Sequence, residues 1–71
     1  MTQAQKEECK TIIRSIEFTK AQLLTLLERQ EEEARRRKGE EKEDAEAVCD
    51  QLTDALDCLE SAVDSIYDAI E

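Results

Sequence analysis

Gly39 is the one residue in this 71-residue chain with a strong tendency to interrupt a helix, and there is no proline at all. Proline removes a backbone donor and clashes with the turn before it; glycine inside a helix costs about 1 kcal/mol relative to alanine. With neither residue elsewhere, almost nothing stops a helix on either side of position 39. β-Branched and aromatic runs are absent too. The expectation is an all-α fold in a single domain over residues 1–71: a first helix over about 3–37, a turn at about 38–40 and a second helix over about 41–70.

Apolar spacing supports that division. Thr2-Gln3-Ala4-Gln5 fits a capping box, with Thr2 as N-cap and Gln5 reaching back to it. The main seam of the first helix is Cys9, Ile12, Ile16, Thr19, Leu23, Leu26 and Gln30, alternating steps of three and four. Its polar members, Thr19 and Gln30, read either as tolerated polar layers or as register control. In the second helix the seam is Ala45, Cys49, Leu52, Leu56, Leu59, Val63, Ile66 and Ile70. Val48, Ala55, Ala62 and Ala69 flank it on one side, where small residues admit a close neighbour, and Tyr67 lies on the other shoulder. Cations at Arg35–Lys38 suit the end of one helix, and anions at Glu40–Asp44 suit the start of the next. Gly39 is expected at the C′ position, where a left-handed residue ends a helix. The basic run has a second reading, as a patch for RNA or a membrane surface.

Two helices of ~30 residues are each ~45 Å long and fold back on one another as an antiparallel helical hairpin. A lone hairpin covers only part of two wide apolar stripes. The expected remedy is a homodimer in which two hairpins pair into a four-helix bundle.

Composition narrows the function classes. Charged residues make up 41% and hydrophobic residues 39% of the chain, with a net charge of −9. Residues 1–38 carry nine Lys/Arg and seven Asp/Glu, a balance of +2; residues 39–71 carry one Lys and twelve Asp/Glu, a balance of −11. So acidic a chain is a poor non-specific nucleic-acid binder, but a surface built from its first half alone feels a different field. There is no histidine, and Cys9, Cys49 and Cys58 lack CxxC spacing, so no metal site is expected. Cys9 and Cys49 read as small core hydrophobes, and Cys58 as reachable by solvent. No nucleophile motif, phosphate loop or acid–base pair is visible, so neither an enzyme nor a cofactor or small-molecule substrate is expected. Asp50, Asp54, Asp57, Asp64 and Asp68 form a solvated face. No apolar run approaches the ~18–20 residues that span a bilayer, and the first eight residues are polar. A cytoplasmic protein with reduced thiols and no membrane partner is the expectation.

The only phenylalanine is out of pattern. Phe18 points almost opposite the apolar stripe of its helix. Thr11, Arg14, Phe18, Gln22, Thr25 and Arg29 fall within roughly 80° of one another on a helical wheel. A ring set among guanidinium, amide and hydroxyl groups can pack on RNA while its neighbours hydrogen-bond and neutralise phosphates. It also suits a protein partner, or stands as an isolated exposed ring.

The string Phe18-Thr-Lys-Ala-Gln-Leu-Leu-Thr-Leu-Leu-Glu-Arg29 closely resembles the first helix of the Rop family (RNA one modulator). The resemblance extends back to Lys10-Thr11. It resumes in the second helix at Val48-Cys49-Asp50-Gln51-Leu52-Thr53-Asp54, Asp57 and Leu59. It implies a homodimeric four-helix bundle whose paired first helices bind the kissing complex of two complementary plasmid RNA hairpins. That binding stabilises antisense pairing and lowers plasmid copy number. By the same resemblance the RNA-binding residues are Lys10, Thr11, Arg14, Phe18, Gln22, Thr25 and Arg29. Phe18 and Gln22 match identically, Arg29 stands for a Lys, Arg14 for an Asn, and Glu7 for a functional Lys. The segment between Arg29 and Cys49 is longer than the family's by roughly one heptad, which keeps both seams in phase. The alternative is a structural or protein-interaction hairpin without RNA activity.

Overall fold

The computed structural model describes all of residues 1–71. Two helices, α1 (Gln3–Arg36) and α2 (Glu40–Ile70), run antiparallel as a hairpin, and there is no strand. All but five of the 63 backbone hydrogen bonds lie within the helices. Backbone pairing therefore builds each rod separately, and only side chains hold the rods together.

The helix ends carry local chemistry. At the start of α1, the Gln5 amide donates to Thr2 Oγ1 at 3.1 Å, and the Thr2 amide donates to Gln5 Oε1 at 2.8 Å. This completes the capping box. α1 ends on Arg37, whose extended backbone (φ −96°, ψ 161°) still donates its amide to the Ala34 carbonyl at 3.2 Å. Gly39 has the left-handed φ foreseen for it, +65°, but a different role. It is the N-cap of α2, with its carbonyl accepting from the amides of Lys42 and Glu43 at 3.2 Å each. Arg37, in extended form, and then Lys38 carry the chain out of α1 to the glycine that starts the next helix. No side chain caps α2; the acids Glu40, Glu41 and Glu43 in its first turn offset its exposed amides.

The contact between the rods is narrow. Only Ile13, Leu27, Ala34 and Val63 are buried. In α2 the half-buried positions follow the expected seam from Ala45 to Ile70. In α1 the strip against α2 keeps Cys9, Ile16, Leu23 and Gln30 of the expected seam, but its alternate positions move one place along. It runs Cys9, Ile13, Ile16, Lys20, Leu23, Leu27, Gln30, Ala34. The expected seam members Ile12 and Leu26 are instead 51% and 42% exposed, and Thr19 is exposed as well. The physical reason is that α1 carries two adjacent apolar strips, and α2 can cover one of them.

The molecule measures 55 × 15 × 10 Å with a radius of gyration of 16.4 Å. A compact chain of this length has a radius near 11 Å. The thickness is that of one helix layer, whereas a stable core needs two. No helix is long and apolar enough to cross a membrane.

Gly39 tests the turn. A Cβ there meets no atom within 4 Å, so a substitution meets no steric obstacle beyond the backbone itself. Gly39→Ala is expected to lower stability by about 1–2 kcal/mol in denaturant melts, the cost of holding a non-glycine residue at positive φ. An unchanged midpoint would contradict this account of the turn.

Candidate nucleic-acid interface

The side of α1 that faces away from α2 is polar except at one point. Phe18 is 66% exposed, more than any other large apolar side chain in the protein. It lies outside the apolar strips because its position falls on the far side of the helical repeat from Ile13, Leu27 and Ala34. Thr11, Arg14, Gln22, Thr25 and Arg29 are exposed on the same side.

The charges around the ring differ in availability. Arg14 and Arg29 take no part in any of the five ion pairs, all of which join residues three or four apart in one helix. Their guanidinium groups are free to meet a ligand. Lys10 is not free in the same way, because its Nζ lies 3.3 Å from Glu7 Oε1. That carboxylate also accepts from Gln3 Nε2 at 3.2 Å. The N-terminal edge of the face is therefore locally neutralised, a pairing that the spacing of Glu7 and Lys10 already allows.

The hydroxyls are also partly committed. Thr11 Oγ1 donates to the Glu7 carbonyl at 3.2 Å, and Thr25 Oγ1 to the Ala21 carbonyl at 3.1 Å. A hydroxyl has one proton, so both threonines present only lone pairs outward. They can accept from a ribose hydroxyl or a base amine but have no proton left to give. Gln22 makes no internal hydrogen bond and keeps its donors and its acceptor. Between the free guanidiniums of Arg14 and Arg29 the face thus holds an apolar ring, a free amide and the acceptor hydroxyl of Thr25, with that of Thr11 just beyond Arg14. Along α1, Arg14 and Arg29 stand about 22 Å apart at ~1.5 Å per residue.

Around the hairpin contact lie two further surfaces. Thr11, Ile12, Ser15, Ile16, Thr19 and Leu59 line a groove with no charged group. Across the hairpin, Glu17, Lys20, Asp57 and Glu60 put charges around Leu24 and Leu56. Lys20 is drawn into the contact strip, its side chain 23% exposed and its Nζ 3.6 Å from Glu17. On α2, Asp50, Asp54, Asp57, Asp64 and Asp68 are all exposed. No group of His, Cys, Asp and Glu is placed to hold a metal ion.

The three thiols are unpaired; Cys9 and Cys49 are half-buried and Cys58 is exposed. Burial pushes the Cys49 thiol pKa up, and the carboxylates of Glu31, Asp50 and Glu46 push it the same way. The thiolate is the reacting form, so a raised pKa lowers reactivity at neutral pH. Iodoacetamide at pH 7.5 is expected to modify Cys58 before Cys49, with the Cys49 rate still climbing above pH 9. Mass spectrometry of partly alkylated protein reads the order, and faster loss of Cys49 would contradict it.

Compared with protein-family models, with curated proteins and with solved structures, the chain matches none of them.

Proposed function

We propose that this chain is an RNA-binding regulator of Rop type. Two hairpins pair into a four-helix bundle, and their first helices together hold the kissing complex of two complementary plasmid RNA hairpins. Holding that complex favours antisense pairing and lowers plasmid copy number. The observation that carries the reading is the exposure of Phe18, at 66%, between the unpaired Arg14 and Arg29. A bulky ring left in water on an otherwise polar stripe stabilises nothing within the hairpin. It is accounted for by a ligand with flat apolar surfaces and a charged backbone, which is the chemistry of folded RNA.

The pairing of hairpins is supported by what one hairpin leaves uncovered. Ile12, Leu26 and Val48 are each more than 40% exposed. By helical repeat, all three fall on the side of the uncharged groove. A second copy laid there excludes water from apolar groups, and no charge is buried over the middle of the contact. The opposite groove would bury Lys20, Asp57 and Glu60. In a two-fold pairing that sets one α1 beside the other, the two Phe18 rings share a single outer surface. Arg14 and Arg29 then flank the rings at both ends, and the acidic stripe of α2 lies on the far side.

Sedimentation equilibrium checks the pairing: two chains per particle are expected at tens of micromolar, and Ile12→Asp shifts the population to monomers. A monomeric wild type would contradict the bundle.

Gel-shift titration checks the RNA reading. The protein is expected to prefer a kissing hairpin pair over a linear duplex of the same sequence. Stacking of a base on an aromatic ring contributes about 1–3 kcal/mol. Two rings per dimer make Phe18→Ala roughly a hundredfold weaker or worse, with the dimer and its melting point retained. Arg14→Ala and Arg29→Ala each remove two phosphate contacts per dimer and flatten the slope of log affinity against log salt by about 1–2. Full binding by Phe18→Ala would exclude the face.

A further inference from the structure

The basic run before the turn plays no part in that reading. Arg35, Arg36, Arg37 and Lys38 are all exposed where α1 ends. Cations at a helix C-terminus offset its outward carbonyls, which is an ordinary structural role. Arg36 and Arg37 also have carboxylates one turn back, Glu32 at 3.2 Å and Glu33 at 3.9 Å. Arg35 shares a recess with Glu31, Glu46 and Asp50 but pairs with none of them within 4 Å, and Lys38 has no ion pair. Position adds a second observation. Arg36 lies one heptad beyond Arg29, and Arg35 three heptads beyond Arg14, so the two arginines continue the two edges of the Phe18 face. Arg29 and Arg36 line one recess, together with Glu32 and Glu33.

We propose that Arg35 and Arg36, with Lys38 beside them, form a second phosphate-contact site for the RNA stems that flank the loop–loop helix. This rests on the RNA reading of the outer face and extends its footprint. From Phe18 to Arg36 is about 27 Å at ~1.5 Å per residue. That is roughly ten base pairs at the ~2.8 Å rise of an A-form RNA helix. RNA centred over Phe18 therefore reaches Arg36 only if its double helix continues that far. A pair of hairpins meets the requirement, because its stems extend from both ends of the loop–loop segment.

A membrane is the less fitting occupant. Between Gln30 and Asp44 the only apolar side chain is Ala34, which is buried, so nothing is available to insert among lipids. A bilayer meeting the tip of the hairpin also meets Glu40, Glu41 and Glu43. RNA lying along α1 meets the arginines from the side. Glu32 stands in its path, with the carboxylate held by Arg36.

The test uses hairpin pairs with identical loops and either short or long stems, about four or about twelve base pairs, on either side of the roughly ten-pair distance. Wild-type protein is expected to bind the long-stem pair roughly tenfold more tightly. The double variant Arg35→Gln/Arg36→Gln loses that gain and binds the short-stem pair as wild type does. Glu32→Gln frees Arg36 and tightens long-stem binding, whereas Asp54→Asn, a charge-matched change on the α2 face, does not. Phe18-dependent binding that ignores stem length, or a Glu32→Gln no better than Asp54→Asn, would overturn this site and leave the outer face standing. Loss of kissing-pair preference in the wild type would overturn both. Binding to vesicles of anionic lipid that the double variant abolishes would assign the cluster to a membrane and overturn the proposal.

Discussion

A layer one helix thick has no interior, and this constraint governs everything else about the hairpin. The slab is 10 Å through its thinnest dimension, and only four residues are buried. Each helix bonds its own backbone, so the rods need no help to satisfy their amides and carbonyls. What they lack is cover for their apolar sides. α2 hides Ile13, Leu27 and Ala34 of α1 and leaves Ile12 and Leu26 open. In the proposed dimer a second hairpin covers that open strip, and the two first helices form one composite surface.

α1 is used on three sides at once. One strip meets α2, the adjacent strip meets solvent in the lone hairpin, and the third carries Phe18. A 3.6-residue repeat gives a helix room for three such strips, each of two or three positions per heptad. Segregation of charge accompanies this division. The first 38 residues balance at +2 and the remaining 33 at −11. An acidic α2 repels a polyanion from its own side, which favours approach to α1 in the proposed complex. In the proposed complex the ring supplies contact area and the unpaired arginines supply phosphate affinity. The threonines, whose protons go to carbonyls of α1, offer the RNA acceptors only.

Much of the hairpin was legible in the chain. One glycine and no proline set the number of helices. The Thr2–Gln5 pair marked the start of α1, and the α2 strip from Ala45 to Ile70 matched its heptads position for position. In α1 the heptads give Cys9, Ile16, Leu23 and Gln30 as they stand against α2, but Ile12-Ile13 and Leu26-Leu27 are apolar doublets. Periodicity alone does not say which member faces the neighbour. The charge run marks Gly39 as the bend but not which helix it caps, because the extended backbone of Arg37 that ends α1 leaves no mark in the sequence. The exposure of Phe18 follows from spacing. The engagement of Lys10 by Glu7, and of two threonine protons by their own helix, depends on rotamers, and sequence does not fix those.

The account depends most on the outer surface of α1 being the side that meets RNA. Amide and side-chain chemical-shift mapping, with a kissing hairpin pair added to the isotope-labelled protein, examines that side directly. Shifts concentrated at Arg14, Phe18, Gln22, Thr25 and Arg29, with the α2 aspartates from Asp50 to Asp68 unmoved, are the result this account requires. Shifts centred on α2, or none at saturating RNA, would contradict it.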